Sequence, residues 1–467
     1  MATSILQKPS ENLLPVGQPI IFSVANSTAL VSHINVRYYC EVFFSSSTVA
    51  AAVKVSTLKT TPNASGSGIF DIKRVIESYL GADHTLDSDN SNVYLQGTSG
   101  VVDAPLHHIA SLSTSKEVAG TFYCTFYSKG SLTVGSSPVN VDASINSENY
   151  LAFNGYPDGA DKLFNTSGNY GYDIDNMNLY ARGFDSKFMT DMPTQIYARS
   201  NDTGVAAFFQ SPFFYDSSFA GTHYLQFNCY NSSGVSLGIH HTTLLVSNGG
   251  AAQNQNTELS GRIVLYAGIY PANLKQIYSI PSGTAYYTVR LTTSAYAGKT
   301  KSYFVNIVEE CKYPVYRLCW LNKYGAWDYY NFNQKSVVSI SSKKESFESS
   351  KGNWSGATYR PSHYSGGKTS FKVKSKESIV INSEYIKEDT AQWLEGLITS
   401  GSVFLIKEGS TWELGDTPVT SFTDFRDMVE PVTITNSSIA RKTSVNDKLI
   451  MHTFTIEKSI SNNTFRI

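Results

Sequence analysis

The feature that most constrains this chain is a recurring alternation of aromatic or β-branched residues with polar ones, in short runs bounded by Ser, Asn and Gly. Examples are INVRYYCEVFFSS, GTFYCTFYSKG, THYLQFNCYN and AYYTVRLTTS. A period of two places successive side chains on opposite faces of a strand, and the bounding residues favour turns. The 30 Tyr and 25 Phe residues suit half-buried sheet surfaces. The chain is therefore predicted to be mainly β.

The length of 467 residues allows several domains, each with its own core. Strand-like runs recur with turn residues about every dozen positions, which is typical of tandem antiparallel β-sandwich-like domains. We expect an extended N-terminal arm over residues 1–17, a β-sandwich-like domain over 18–142, an irregular segment plus a second β-sandwich-like domain over 143–310, and an aromatic hairpin with a C-terminal α+β domain over 311–467. Such an arm is usually disordered alone or docked on a partner.

Two short helices interrupt the strand pattern. The first is predicted over 71–80, with Asp71 as its cap and apolar residues spaced i, i+3, i+4, i+7 and i+8 from Ile72. The second is predicted over 389–399, where Asp389 and Gln392 match the spacing of a capping box. Both helices are expected to pack an apolar stripe on a sheet.

Charge and hydropathy narrow the range of partners. The net charge is −1 and only 16% of the residues are charged, so no strong field is available to hold a polyanion and no nucleic-acid partner is expected. No run approaches the ~20 apolar residues that span a bilayer, and the N-terminus does not have the pattern of a signal peptide. We therefore expect a protein made in the cytoplasm, without membrane insertion.

The sequence contains none of the common catalytic or cofactor motifs, including the P-loop, the nucleophile elbow, the HExxH zinc motif and the Rossmann glycine pattern. The adjacent histidines His107-His108 and His240-His241 would point to opposite faces of a strand, so neither pair suits a metal. Acidic loops at 87–90 and 173–176 lack the glycine and glutamate of an EF-hand. We expect no catalytic residues, no cofactor and no metal.

The five cysteines form no C-x-x-C pair. Three of them lie in aromatic strand-like runs, where a free thiol behaves as a small buried apolar group. These three, Cys40, Cys124 and Cys229, are predicted to be core residues, and the other two cysteines are Cys311 and Cys319.

The most aromatic stretch is VYRLCWLNKYGAWDYYNF, residues 315–332. Its two arms alternate around the turn Asn322–Gly325, which predicts a hairpin with large residues on both faces. We interpret it as a buried strand pair that joins the middle β region to the C-terminal domain; the alternative is a platform for a ligand. The candidate interface residues are Trp320, Tyr324, Trp327, Tyr329 and Tyr330.

In the order of its segments, the chain resembles the β-rich virion proteins of tailed bacteriophages, especially those of Bacteroidota hosts. Four stretches carry the resemblance: PIIFSVANS to YYCEVFF with LKTTPNASGSGIFDIKRVIESYL; ARGFDSKFMTDMPTQIYARSNDTGVAAFFQ; CKYPVYRLCWLNKYGAWDYYNF; and WLEGLITSGSVFLIKEG with PVTITNSSIARKTSVNDKLIMHTFTIE. These are patterns of residue classes and include no catalytic motif.

The resemblance implies a non-enzymatic structural component of the tail, neck or baseplate, located in the virion and assembled in multiple copies. Its partners would be other virion proteins and copies of itself. Two further hypotheses stay open: a receptor- or carbohydrate-binding protein that contacts a host-surface glycan, and a polysaccharide-degrading enzyme. For the last, candidate carboxylates such as Asp158, Asp161, Asp173 and Asp175 lie among the aromatic residues of segment 143–200, and nothing marks two of them as a catalytic pair.

Overall fold

The structure is a computed structural model of the full chain. It describes residues 3–9, 13–45, 51–82, 110–112, 119–156, 162–164, 170–172, 188–209, 224–243, 247–248, 251–252, 264–275, 278–292, 298, 300–309, 312–352, 357–360, 366–406, 429–436, 450–459 and 463–466. Their backbone is mainly β, as predicted, with several sheets and few short helices.

The chain divides into two compact units. Unit 1 contains Met1–Glu309 and also Leu321–Asp328, whereas unit 2 contains Glu310–Trp320, Tyr329–Ser410 and Arg426–Ile467. The turn of the aromatic hairpin therefore groups with unit 1 and most of its two strands with unit 2. Each unit is described by itself.

The described elements of unit 1 are short strands and three helices. In chain order they are β1 Ser4–Gln7, β2 Leu13–Pro15, β3 Ile21–Ala25, α1 Ser27–Ser32, β4 Ile34–Ser45, β5 Val53–Thr60, β6 Ser67–Asp71, α2 Lys73–Glu77, β7 Ala110–Leu112, β8 Ala119–Ser131, β9 Val139–Asn146, β10 Tyr150–Phe153, β11 Lys162–Phe164, β12 Tyr170–Tyr172, β13 Gln195–Ala198, β14 Val205–Phe209, β15 Tyr224–Tyr230, β16 Ser236–Thr243, β17 Ser247–Asn248, β18 Ala251–Ala252, β19 Val264–Gly268, α3 Pro271–Lys275, β20 Tyr286–Thr292 and β21 Tyr303–Ile307.

The N-terminal part of unit 1 is a sandwich of two sheets. One sheet has the order β1-β3-β6; the other has the order β2-β10-β8-β4-β5, with β9 also paired to β8. Alternate residues of β4 and β8 are buried, as the period of two predicts. Phe22 of the small sheet contacts Phe126 and Tyr150 of the large one at ring distances of 5.3 and 5.7 Å, so aromatic side chains fill the space between the sheets.

The predicted N-terminal arm forms strands of these sheets. β1 pairs antiparallel with β3, and β2 pairs parallel with β10. Val16, directly after β2, is fully buried. The segment is therefore built into the chain's own sandwich. β10 lies beyond residue 142 but completes the first sheet, which extends to Phe153.

The remaining strands of unit 1 form four more sheets. The largest has the order β13-β21-β20-β15-β16, a second has the order β14-β19-β7, and β11-β12 and β17-β18 are two-stranded. The largest sheet buries alternate residues of β15 and β20, including Phe227 and Tyr287, whose rings lie 5.9 Å apart. β13 pairs parallel with β21, so this sheet is mixed.

Unit 2 contains the C-terminal elements. They are β22 Tyr316–Leu321, β23 Trp327–Phe332, β24 Val337–Ser349, β25 Gly367–Asn382, α4 Glu388–Leu394, α5 Gly396–Thr399, β26 Val403–Ile406, β27 Val429–Ile434, β28 Thr453–Lys458 and β29 Asn463–Arg466. The sheet order is β23-β22-β26-β27-β28-β25-β24, with β29 paired to β25. This sheet with its helices is the predicted C-terminal α+β fold.

Both predicted helices are shorter in the structure. α2 spans only Lys73–Glu77, because Asp71 ends β6 and its carboxylate accepts hydrogen bonds from Ile20 and Lys73 backbone N–H groups. The predicted helix 389–399 is two helices that meet at Glu395. The capping-box interpretation is wrong: Lys387 occupies the cap position, and the Asp389 carboxylate lies within the first turn, where it accepts from the Thr390 N–H.

The prediction for the three cysteines is confirmed. Cys40, Cys124 and Cys229 are free and buried, and so is Cys319. Burial raises the pKa of the Cys319 thiol to about 12, which keeps it protonated and apolar. Cys311 lies outside the described residues.

Asn26 connects four segments of the first sandwich, so its loss should destabilise unit 1. Its Oδ1 caps α1 by accepting from the Ala29 N–H at 3.0 Å, and its Nδ2 lies within hydrogen-bonding distance of Thr3, Ser128 and Asp142. Asn26→Ala should lower the free energy of unfolding by about 2 kcal/mol, because a cap and buried partners are lost together. Denaturant titration of the full chain measures this.

The matched control is Asn140→Ala, at an exposed position of β9 in the same unit. A surface change of this kind should stay within about 0.5 kcal/mol of the parent. Equal effects of the two substitutions would contradict the role assigned to Asn26.

Candidate functional site

The turn of the aromatic hairpin is organised by one side chain, that of Asn322. Its Oδ1 accepts from the Tyr324 and Ala326 N–H groups at 2.9 and 3.1 Å. The backbone closes the turn with a 3.0 Å bond from the Gly325 N–H to the Asn322 carbonyl. The predicted hairpin turn is therefore confirmed, and the asparagine pre-forms it.

The same turn is tied to residues 188–192 of unit 1. The Asn322 Nδ2 donates to the Met189 carbonyl at 2.8 Å and to Asp328 Oδ1 at 3.0 Å. Asp328 is buried and accepts a 2.6 Å bond from the Thr190 hydroxyl. Because each buried polar atom named here has a partner, the network holds the turn rigidly instead of presenting groups to a ligand.

Asp191 adds a second set of bonds at the edge of this network. The Tyr324 hydroxyl donates to Asp191 Oδ1 at 2.8 Å, and Lys323 Nζ lies 2.8 Å from Asp191 Oδ2. Lys323 also lies over the Tyr324 ring, 5.2 Å from its centroid. The Asp191 carboxylate therefore pairs with both the Tyr324 hydroxyl and the Lys323 ammonium group.

The strands of the hairpin carry the aromatic core of unit 2. Trp320 is fully buried, and its ring lies 5.0 Å from that of Trp393 in α4. Tyr330 contacts Trp393 edge-on at 6.0 Å, and Phe332 contacts Phe454 at 5.6 Å. The strand pair and the helix therefore share one aromatic cluster, in which edge-on contacts add to the area buried.

A buried arginine stabilises the two strands against each other. Arg317 is 2% exposed; its guanidinium donates to Asn331 Oδ1 at 2.8 Å and lies 5.2 Å from the Tyr329 ring centroid. A charge in this position needs such partners, since an unpaired one would be costly. The sequence shows Arg317 only as a polar position in an apolar strand.

The five candidate interface residues are core residues of a single chain. Trp320, Tyr324, Trp327 and Tyr329 are at most 3% exposed, and Tyr330 is half-buried. Side chains already buried in one copy have little area left for a second copy or for a ligand. The interpretation that the hairpin joins the middle β region to the C-terminal domain stays a prediction.

Unit 2 contains an exposed ribbon formed by β24 and β25. Thirteen residues of β24 pair with β25 from Val337↔Val380 to Ser349↔Gly367, a length of roughly 40 Å. Most residues of β24 are exposed on both faces. Ile340 is 74% exposed, and Val337, Val338 and Phe347 are about half exposed.

Lysines are concentrated on one face of this ribbon. Lys343 lies directly opposite Lys374, and Glu345 lies opposite Lys372. Like charges in direct register are unfavourable in an isolated sheet. The run SSKKESFESSKGNWSG is rich in Lys, Ser and Glu, a composition that predicts an exposed connector or a solvated hairpin, and the antiparallel pairing of β24 with β25 is such a hairpin.

Among the described residues no group of three or more His, Cys, Asp or Glu could hold a metal ion. His240 and His241 point to different neighbours, as predicted: His240 stacks on Tyr278 and His241 lies edge-on to Tyr224. His107-His108 and the acidic loops at 87–90 and 173–176 lie outside the described residues. None of the helices that the structure describes has the length and apolar character needed to cross a membrane.

Comparison with known proteins assigns no family. No protein-family model matches the chain, and no curated protein matches it. Among solved structures, trypsin-activated alpha-2-macroglobulin from Escherichia coli aligns with 97% of this chain and 24% of its own at 11% identity and a TM-score of 0.17. Salmonella alpha-2-macroglobulin reacted with methylamine aligns with 97% of this chain and 23% of its own at 9% identity and a TM-score of 0.18. The chain spans about a quarter of the length of either protein, and scores this low support no common fold.

Gly325 is the least replaceable residue of the hairpin turn. Its φ of +76° is in the left-handed region, and a Cβ placed there would lie 2.0 Å from the Asn154 carbonyl oxygen. Gly325→Ala should therefore lower the free energy of unfolding by more than about 3 kcal/mol, because backbone strain and a clash with another main chain add. Thermal and denaturant unfolding of the full chain measures it.

Gly135 provides the control, because its φ is +85° but nothing lies within 4 Å of its added Cβ. Gly135→Ala should lower the free energy of unfolding only by the cost of the left-handed backbone conformation, about 1–2 kcal/mol. If the two substitutions cost the same, the close approach at Asn154 does not constrain the turn.

His452 should make the stability of unit 2 depend on pH. Burial lowers its pKa from the ordinary value of 6.5, although the Ala391 carbonyl and Glu395 partly oppose the shift. The unfolded chain then binds the proton more readily than the folded one, so stability falls as the pH drops below about 6.5 and levels off below the folded pKa. His452→Gln should lose less stability than the parent between about pH 7.5 and about pH 5. Denaturant titrations at each pH test this, and identical pH slopes would contradict it.

Proposed function

We propose that this protein is a non-enzymatic structural component of a tailed-phage virion, in the tail, neck or baseplate region, present in multiple copies. The observation that carries the proposal is the β24–β25 ribbon, whose long edge strand exposes Val337, Val338, Ile340 and Phe347. The resemblance of the four sequence stretches to phage virion proteins supports the choice of particle.

The ribbon has the properties of a surface that another chain covers. Exposed apolar residues on a long edge strand favour association with another chain. β24 is the terminal strand of its sheet among the described residues, and Val338 and Ile340 lie on one face of it. Covering that edge would satisfy backbone groups and bury these side chains.

Charge distribution favours a second copy of the same chain as the cover. Residues 337–382 contain eight Lys or Arg and three Asp or Glu, a net charge of +5, whereas the whole chain carries −1. The remaining residues therefore carry −6. A positive ribbon meeting a negative body of the next copy is a heterologous contact, which closes into a ring when the rotation between copies allows.

The proposed location is the virion, and the other expected partners are neighbouring virion proteins. Immunogold labelling of phage particles whose genome encodes the chain tests this: antibodies against the purified protein should decorate one defined region of the particle. Label that is absent from intact and opened particles would contradict it.

Assembly through the ribbon predicts that an exposed residue far from any core controls the oligomeric state. Ile340→Asp should shift the full chain from an oligomer toward the monomer by at least tenfold in dissociation constant, because a charge would be buried at the contact. Sedimentation equilibrium measures the shift. The melting temperature should change little, since Ile340 is already 74% exposed.

Val134→Asp is the control, because Val134 is 92% exposed and lies in unit 1 outside the ribbon. It should leave the association unchanged. A parent chain that is monomeric at all concentrations, or equal effects of the two substitutions, would overturn assembly through the ribbon.

The alternative function, binding of a host-surface glycan, is favoured by a different surface in unit 1, on the outer face of β4 and β8.

A further inference from the structure

The large sheet of the first sandwich has a second face, opposite its core, that carries aromatic residues in register. Tyr39 of β4 pairs with Tyr127 of β8, and Phe43 pairs with Tyr123. The rings of each pair are parallel, with centroids 5.1 and 4.8 Å apart. All four side chains are half-buried, and the two pairs lie about 13 Å apart along the strand. We call this surface the aromatic face.

Polar groups lie between and beside the ring pairs. Glu41 and Thr125 occupy the register position between them. The Glu41 carboxylate lies 2.9 Å from Lys54 Nζ and accepts from the Tyr127 hydroxyl at 3.2 Å, and the Thr125 hydroxyl donates to Asn146 at 2.8 Å. Burial, then Glu41, raises the pKa of Tyr127 to about 12, so its hydroxyl stays protonated.

The aromatic face is positively charged. Lys129 Nζ lies 5.4 and 5.6 Å from the centroids of Tyr39 and Tyr127, and Arg37 is directly opposite Lys129. Lys59 and Lys54 of β5 pair with Tyr39 and Phe43. Within β4, β5 and β8 these four cations accompany one carboxylate, that of Glu41, which Lys54 already neutralises. Within a chain of net charge −1, this is a local excess of positive charge.

We propose that the aromatic face binds an anionic polysaccharide, through hydrogen bonds to its hydroxyl groups and ion pairs to its acidic groups. Hydroxyl, amide and ammonium groups in fixed positions match a polyol that carries carboxylates or phosphates. Half-exposed aromatic rings supply apolar area at low entropy cost. This inference does not depend on assembly through the ribbon.

Two other kinds of macromolecule suit the aromatic face less well. Bases of a single-stranded nucleic acid need open ring faces for stacking, whereas these rings already use one face against each other. Protein interfaces are depleted in lysine at their centre, whereas here lysines border both ring pairs.

Binding of the full chain to defined polymers tests the proposal. The probes are alginate for carboxylate groups, a glycerol-phosphate teichoic acid for phosphate groups, neutral dextran, and a single-stranded oligothymidylate, all measured by isothermal titration calorimetry at physiological salt. We expect saturable binding of alginate or teichoic acid, the better of the two identifying the acidic group. Absence of binding to both, or equal or tighter binding of the oligothymidylate, would overturn the proposal.

Two pairs of substitutions with the same change in net charge distinguish binding at the aromatic face from a general electrostatic attraction of the polymer to the protein. The double substitution Lys59→Gln with Lys129→Gln should weaken binding of the preferred polymer by tenfold or more. The control is Lys301→Gln with Lys387→Gln, at exposed lysines that belong to none of β4, β5 and β8, which should alter binding less than twofold. Equal weakening by the two pairs would contradict a site on this face.

Tyr123→Ala tests the aromatic contribution and should also weaken binding severalfold. Its melting temperature is measured alongside, because the lost stacking on Phe43 could unfold the sheet. If it fails to fold, the lysine pairs alone decide the question, since Lys59 is fully on the surface and Lys129 is half-exposed.

Discussion

The pairing of β4 with β8 is the interaction on which most of unit 1 depends. These two long strands pair antiparallel, with unbroken register from Arg37↔Lys129 to Ser45↔Thr121 after an irregularity between Ile34 and Arg37, and their alternation gives the sheet two different faces. One face, with Tyr38, Cys40 and Phe126, closes against the small sheet of the sandwich. The other presents stacked aromatic pairs and cations. A slip of one residue would exchange the faces, so the register that forms the core also forms the aromatic face.

The β-rich class and the aromatic hairpin could be predicted from sequence because both depend on local periodicity. Tyr38, Cys40 and Val42 alternate with polar or half-exposed neighbours, and Asn322 to Gly325 has the composition of a turn. The same local rules located the two helices but overestimated their lengths. Asp71 belongs to strand β6 because its backbone pairs with Ile21 of β3. Nothing near Asp71 in the sequence indicates this distant partner.

The features that depend on long-range pairing could not be predicted. Arg317 and Asp328 become buried only because Asn331 and Thr190 meet them, and Thr190 is more than a hundred residues away along the chain. The N-terminal segment has no clear period, yet it pairs with β3 and β10. The aromatic face could not be predicted for a related reason. Tyr39 and Tyr127 are far apart in the sequence, and only the pairing of β4 with β8 stacks their rings.

The two proposed surfaces expose different kinds of chemical group. The ribbon exposes apolar residues along a strand that ends its sheet in the part of the chain that the structure describes, which favours another protein chain, whereas the aromatic face combines rings with cations and hydroxyls, which favours an acidic glycan. A virion component at the host-facing end of a particle would need both kinds of surface.

The most direct test of the central claim, that the β24–β25 ribbon is covered by a second copy, is amide hydrogen exchange of the full chain across a concentration series. We predict that amides of β24 exchange rapidly in dilute monomer and become protected in the oligomer, while amides of β4 and β8 are equally protected in both states. Oligomers in which β24 exchanges as fast as in the monomer would contradict the account.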